Sequence, residues 1–232
     1  MLDFHTHLLP GVDDGSRSVE ESLQMLERMR MQGVEQVVAT PHFYANDESV
    51  EDFLARRNAA LQSLTDRPGN GPDILLGAEI RYYEGISRMP DLKKLRVQNS
   101  RLLLLEMPFR PWSEFAVKEV IDIVCQGGII PVIAHVERYL FLQKPGVAEL
   151  LLQNGVLFQV NSTFLTGWRQ RRRALRMLRQ GQIHFLGSDC HNLLDRPPNV
   201  ADAFSLVEQR LGSAFATAFA DYGRELLLHN NQ

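Results

Sequence analysis

Two histidines separated by one residue stand near the start of the chain, in Asp3-Phe4-His5-Thr6-His7, and Pro10-Gly11-Val12-Asp13-Asp14-Gly15 follows closely. In an extended strand alternate side chains point the same way, so Asp3, His5 and His7 are expected on one face and Leu2, Phe4 and Thr6 on the other. Two imidazoles on one face can clamp a metal ion, although an isolated pair is weak evidence by itself. The rest of the chain supplies partners of the same chemical type. His42, Glu79, Glu106, His135, Asp189 and His191 each close or follow a short apolar run, and with His5, His7 and Asp14 they form a set of nitrogen and oxygen donors. Five of the seven histidines fall in this set, a concentration that packing does not explain.

A single catalytic zinc needs three protein ligands and a water, so a donor set this large suits two or three ions better. Imidazoles with several carboxylates and no thiolate suit Mn²⁺, Fe or Zn²⁺, and the oxygen-rich balance leans toward Mn²⁺. Such ions bring hydroxide within reach near neutral pH and stabilise entering and leaving oxygens in a displacement at phosphorus. No protein nucleophile is then needed, but the phosphate oxygens must be held, a task suited to arginine's planar fork. Arg138, shortly after His135, is the first candidate, and Arg110, shortly after Glu106, is the second; Asp189 is expected both as ligand and at the catalytic centre. A surface ion pair is the bland reading of either arginine. Phe43, Tyr44, Phe109, Trp112 and Tyr139 also follow strand ends, where they would either present apolar surface to an aryl phosphate or cap the fold.

The elements that must position these residues alternate regularly. Strands are expected over 2–7, 34–40, 73–79, 101–106, 129–135, 156–160 and 183–187. Helices are expected over 18–33, opened by the capping box Ser18-Val19-Glu20-Glu21, and over 50–64, 114–126, 147–153 and 167–180, with a short helix near 90–96. Residues 66–72 are rich in breakers, and 200–232 read as one or two helices. This alternation predicts an α/β fold, a distorted (β/α)7 TIM-like barrel in a single domain over 1–232, with the metal cluster at the C-terminal ends of the strands. His184 lies on the opposite face from Asp189 by alternation and is expected to be structural, while His229 falls in a polar tail.

A formal charge of −3 gives no case for nucleic acid, and no apolar run is long enough for membrane insertion. Two cysteines and an immediate first strand point to a reducing, cytoplasmic setting. Cys190 and Arg196 do share the Cys-x5-Arg spacing of thiolate phosphatases. The intervening Leu193, Leu194 and Asp195, with Pro197-Pro198 after them, cannot form a cradle of backbone donors for phosphate. Cys190 is instead expected to pack between two ligands, and Cys125 to be buried in a helix. The run Trp168-Arg169-Gln170-Arg171-Arg172-Arg173, continued by Arg176 and Arg179, reads as a solvated face, with docking of an acidic partner or a homo-oligomer contact as the functional alternatives.

Taken in order, Asp-x-His-x-His, Pro-Gly-x-Asp-Asp-Gly, Thr-Pro-His42, Gly-x-Glu79, Glu106, His-x-Glu-Arg138 and Ser-Asp189-x-His191 resemble the polymerase-and-histidinol-phosphatase (PHP) superfamily. Within it the chain resembles the bacterial manganese-dependent protein-tyrosine phosphatases of capsule and exopolysaccharide clusters. The similarity runs from residue 1 to about 200; Val136 stands where the pattern has proline, and its side chain is no ligand. The resemblance implies His5, His7, Glu79 and Asp189 at one metal. Glu79 would bridge to a second held with Glu106 and His135, leaving Asp14, His42 and His191 for a third. It also implies a phosphotyrosine protein as substrate, such as the tail of a bacterial polysaccharide-synthesis tyrosine kinase. A small-molecule phosphatase, for example one for histidinol phosphate, and a non-catalytic metal-stabilised interaction module are the competing readings.

Overall fold

The computed structural model describes residues 1–64, 69 and 71–228. Its strands are β1 (Leu2–Thr6), β2 (Gln36–Ala39), β3 (His42–Phe43), β4 (Asp73–Leu76), β5 (Glu79–Arg81), β6 (Leu102–Glu106), β7 (Ile130–Ile133), β8 (Leu157–Asn161) and β9 (Phe185–Gly187). The helices are α1 (Val19–Met31), α2 (Val50–Ser63), α3 (Glu114–Cys125), α4 (Val147–Gln153), α5 (Ser162–Thr166), α6 (Arg171–Arg179), α7 (Val200–Leu211) and α8 (Ser213–Leu228). Every strand pairing is parallel, in the orders β1-β2-β4 and β3-β5-β6-β7-β8-β9. The sheet curls until the segment after β9 returns to β1, where the Asp189 N–H donates to His5 O (2.8 Å) and the His7 N–H to Cys190 O (2.9 Å).

Two expected strands are each broken. The expected 34–40 strand stops at Ala39 and pairing resumes at His42, because Pro41 has no N–H to give to a ladder. The 73–79 strand pauses at Gly77-Ala78, and the Glu79 N–H bridges to Pro41 O at 3.0 Å. Both breaks redirect the chain just before a candidate ligand. The pairing of β1 with β2 slips between Asp3 and Thr6, while Leu2 and Phe4 share one apolar cluster as alternation requires. Asp3 is not among the grouped donors; its Oδ1 accepts from the Ser188 N–H at 2.8 Å.

The helices begin where the sequence offers oxygen caps. Ser18, Ser49 and Ser113 accept from the N–H groups of Glu21, Asp52 and Ala116, satisfying donors that a helix start leaves orphaned. The Glu21 carboxylate departs from the capping box and takes the Arg17 N–H instead. Near residue 90 only a 3-10 turn forms, Leu92–Leu95. The expected 167–180 helix starts later, at Arg171, because a separate short helix, α5, precedes it. Cys125 is exposed, contrary to expectation, since it ends α3 on the side away from Val120 and Ile123.

Alternate residues of β6 divide between two apolar clusters. Leu102 and Leu104 join a small cluster made mostly of strand residues, including Phe4 stacked on Phe185 at 3.8 Å. Leu103 and Leu105 join the large one that packs the strands against helices. Both faces are buried, as a parallel sheet requires. His184 lies apart from the ligand cluster, its Nδ1 accepting from the Phe158 N–H at 3.1 Å; His229 and most of residues 66–72 lie outside the described residues. Among the described residues no helix is long and apolar enough to cross a membrane.

Candidate metal centre

The expected ligands come together at the ends of successive strands. Ligand atoms within 4.8 Å of one another group as His7, Asp14, His42 and His191; His5, His7 and Asp189; His5, Glu79 and His135; and His42, Glu79 and Glu106. Glu79 is central. Its Oε2 lies 3.1 Å from His5 Nε2 and 3.2 Å from both His7 Nε2 and His42 Nδ1, and its Oε1 lies 2.8 Å from His135 Nε2. Glu106 stands at the edge of the cluster, 4.0 Å from His135 Nε2, and Asp14 is the most exposed member, 3.4 Å from His191 Nε2.

Four of the imidazoles are braced in the same way. His7 Nδ1 meets Asp13 Oδ2 at 2.7 Å, His5 Nδ1 meets Gln159 Oε1 at 3.2 Å, His135 Nδ1 meets the Tyr139 hydroxyl at 3.1 Å, and His191 Nδ1 meets Asp189 O at 3.0 Å. With Nδ1–H donated to an oxygen, as in the His5, His7 and His191 pairs, Nε2 is the nitrogen turned to the centre, and such outer partners fix ring orientation in metal sites. His42 differs, presenting Nδ1 to Glu79.

Three of these bracing groups are not among the expected site residues. Asp13, beside the expected ligand Asp14, also accepts the N–H groups of His42 (2.8 Å) and Gly15 (3.0 Å). Gln159 takes the His135 N–H at 2.6 Å and passes a hydrogen bond to Asn161 Oδ1, whose amide reaches Asp189 Oδ2 at 2.8 Å. The adjacent Asp13-Asp14 pair carried the signal for the first; Gln159 and Asn161, alternating on β8, carried none. Two glycines give the ligands room. A Cβ on Gly187 would meet His5 Cβ at 2.6 Å and Gln159 Nε2 at 2.8 Å, and one on Gly15 would collide with the His7 backbone. His135 (φ 31°) and Asp189 (φ 52°) are in the left-handed region, a strain that concentrates at functional positions.

Charge is concentrated and shielded here. Burial would raise the Glu79 carboxyl, but the His5 charge and hydrogen bonds with His135, His5 and His7 hold it well below the usual range. Burial opposes charge on His7, yet its bonds to Asp13 and Glu79 push its pKa up to about 10. Glu106 rises to about 7 through burial and then the charge of Glu79, while burial takes His191 down to about 4 and lowers His42 and His135. Carboxylates crowded at this density call for positive charge. Asp189 Oδ1, His42 Nδ1 and His191 Nε2 are buried without an aligned hydrogen-bond partner, although charged neighbours lie within 4 Å. Imidazole nitrogens and carboxylate oxygens converging in this way fit cations of the Mn²⁺, Fe and Zn²⁺ type.

Two guanidiniums flank the centre. Arg138 Nη2 donates to Asp189 Oδ2 at 2.7 Å, and Arg196 Nη2 lies 2.6 Å from Asp189 Oδ1. Each is about two-fifths exposed, at 42% and 40%, so each also faces solvent. Arg196 entered the sequence reading only through its spacing from Cys190, and its role is tertiary. Arg110 is exposed and makes no ion pair among the described residues; its carbonyl accepts from Gln143 Nε2. Cys190 is fully buried, and burial and the Asp3 charge raise its thiol well above the ordinary value, the opposite of what a nucleophile needs. Of the aromatics that follow strand ends, Phe43, Trp112 and Tyr139 are buried, and Phe109 is 68% exposed.

Over residues 1–230 the sequence matches the family described as capsular polysaccharide synthesis, CpsB/CapC. The chain belongs to the CpsB/CapC family. Curated relatives include the tyrosine-protein phosphatase CpsB of Streptococcus agalactiae, 30% identical over 244 residues that cover 100% of this chain and 99% of the relative. The tyrosine-protein phosphatase YwqE of Bacillus subtilis is 31% identical over 239 residues, covering 99% and 92%. Among solved structures, one from a description of YwqE and Streptococcus pneumoniae CpsB as unique metal-dependent tyrosine phosphatases superposes with a TM-score of 0.81. It is 29% identical, over 100% of this chain and 96% of that one. The CpsB/CapC match thus spans all the expected ligands, His5 to His191.

Proposed function

We propose that this CpsB/CapC chain is a metal-dependent protein-tyrosine phosphatase. The observation that carries this reading is the convergence of His5, His7, His42, Glu79, His135, Asp189 and His191, with Arg138 and Arg196 both gripping Asp189 at its edge. Full-length similarity to relatives named tyrosine-protein phosphatases supports it. Residues 1–232 act as one domain, and β2 with β3 and β4 with β5 count as single interrupted strands, giving seven β/α units.

In this reading His5, His7, Glu79 and Asp189 hold one cation, Glu79, Glu106 and His135 a second, and Asp14, His42 and His191 a third, with Mn²⁺ preferred and Fe or Zn²⁺ compatible. When bound, such cations make water acidic enough to ionise near neutral pH and offset charge on phosphate oxygens. The protein's own residues do the rest. Arg138 and Arg196 present planar forks to the non-bridging oxygens, and their attachment to opposite oxygens of Asp189 sets the spacing between them. Asp13, Gln159, Tyr139 and the Asp189 carbonyl keep the imidazoles from rotating, so no reorganisation is needed as charge develops. A departing tyrosine phenolate, of pKa about 10, is a better leaving group than an alkoxide, which favours aryl over alkyl esters. The substrate is a phosphotyrosine protein, the tail of a tyrosine kinase of polysaccharide synthesis being the fitting example.

Phosphate release from a phosphotyrosine peptide tests this directly. Chelation should abolish release, Mn²⁺ should restore it, and thiol alkylation should leave it unchanged. Release that survives chelation and dies on alkylation would transfer the chemistry to a cysteine. A rate on histidinol phosphate exceeding that on the peptide would reassign the substrate.

A further inference from the structure

A cleft of about 1160 Å³ opens at the start of β2 and β6, between α2, the turn Leu92–Leu95 and the end of α8. Arg57, Lys93, Lys94, Arg96 and Arg101 line it, and no carboxylate does so among the described residues. Arg101 immediately precedes β6 and Glu106 ends it, so roughly 16 Å of strand separates the cleft from the ligand cluster.

The five cations are poorly compensated by the protein itself. Among the described residues only Lys94 has a carboxylate partner, Asp91 at 2.9 Å. Arg96 gives its Nε and Nη1 to the carbonyls of Lys93 and Gly128, both at 2.8 Å. Arg57 is only 7% exposed; it donates to Gly77 O at 2.7 Å and its guanidinium lies 5.6 Å from the Phe53 ring centroid. Its Nε, like that of Arg101, is buried with no acceptor among the described residues. Burial takes the Arg57 pKa down to about 10, with no anion among the described residues opposing the fall. Keeping an unpaired charge buried is costly, and an anion from outside the chain would relieve the cost.

We propose that this cleft binds a small anion carrying two or more phosphate groups. Guanidinium forks match phosphate oxygens in pairs, and buried donors with no protein acceptor reward a ligand that brings one. Cations contributed by α2, the turn Leu92–Leu95 and the residue before β6 are better met by two phosphates than by one. A cleft of this size also leaves space, beside Leu61, for an uncharged remainder such as a nucleoside. The site makes no use of the metal centre, so it stands independently of the proposed reaction.

Calorimetric titration of the metal-loaded protein with pyrophosphate, a nucleoside diphosphate and inorganic phosphate tests the assignment. Pyrophosphate and the nucleoside diphosphate should bind the wild type and an Arg138→Ala/Arg196→Ala variant alike. Both should weaken at least about tenfold in Arg101→Gln and in Arg57→Met, each of which should retain wild-type turnover of an aryl phosphate. Tighter binding of the nucleoside diphosphate than of pyrophosphate would place the uncharged part in the cleft. Affinity unchanged by Arg101→Gln, or abolished by Arg138→Ala/Arg196→Ala, would overturn the proposal. Equal affinity for inorganic phosphate and pyrophosphate would overturn the requirement for two phosphate groups.

Discussion

At the C-terminal ends of the strands, Glu79, Asp189 and five imidazoles form overlapping groups whose donor atoms lie within 4.8 Å of one another, and four of the five rings have an oxygen behind them. At the N-terminal ends, Arg57, Arg96 and Arg101 line an open cleft and have no carboxylate partner among the described residues. Both regions concentrate ionisable groups, but the first braces its charges from an outer ring of neutral and acidic side chains, and the second leaves them to solvent and backbone carbonyls. A centre built for chemistry requires fixed geometry, whereas a site that only attracts an anion tolerates looseness.

The contrast can be broken from the braced side first. Glu79→Gln keeps the shape but removes the charge at the point where four histidines meet, and should lower kcat/KM on a phosphotyrosine peptide by about three orders of magnitude or more, with metal content falling in parallel. Asp13→Asn touches no expected ligand set directly. It should still cost about 10–100-fold in metal affinity, measured by competition with a chelator, because His7 loses the charged acceptor for its Nδ1–H and one of the two oxygens that serve His7, Gly15 and His42 is gone. A wild-type affinity in that variant would show that the brace contributes nothing.

A third experiment separates the centre from the rest of the titrating protein. Burial lowers His184 to about 4, below the value of about 6.5 in an unfolded chain, so the unfolded state binds the extra proton between those values. Its contribution to stability is complete above pH 6.5 and declines as pH falls toward 4, by about 3 kcal/mol at most. His184→Asn keeps an acceptor for the Phe158 N–H, and denaturant midpoints at pH 7 and pH 4.5 should converge relative to the wild type. The smallest effect is expected at the cleft. Arg57→Met replaces an uncompensated buried cation with an apolar chain, and unfolding free energy should change by no more than about 1 kcal/mol, in either direction.

The donor types and their placement at strand ends were readable because metal chemistry restricts ligands to few residues and a strand delivers its last side chain to one end of a sheet. The helix starts at Ser18, Ser49 and Ser113 were readable for the same local reason. Arg196 was not, since its approach to Asp189 depends on how the loop after β9 closes, and no spacing in the chain encodes that. Asp13 and Asp14 differ by one position and identical chemistry; which braces His7 and which stands exposed beside His191 follows from the turn that Gly15 permits.

By itself, then, the sequence determined the alternation of strands and helices, the parallel arrangement this implies and the inventory of imidazole and carboxylate donors, because these depend on periodicity and residue chemistry. The breaks at Pro41 and Gly77, the slip in β1, the Gln159–Asn161–Asp189 chain and the arginines that, among the described residues, have no carboxylate partner were decided only in three dimensions. Each depends on which groups lie within about 3 Å across elements distant in sequence, and hydrogen bonding and desolvation are settled at that range.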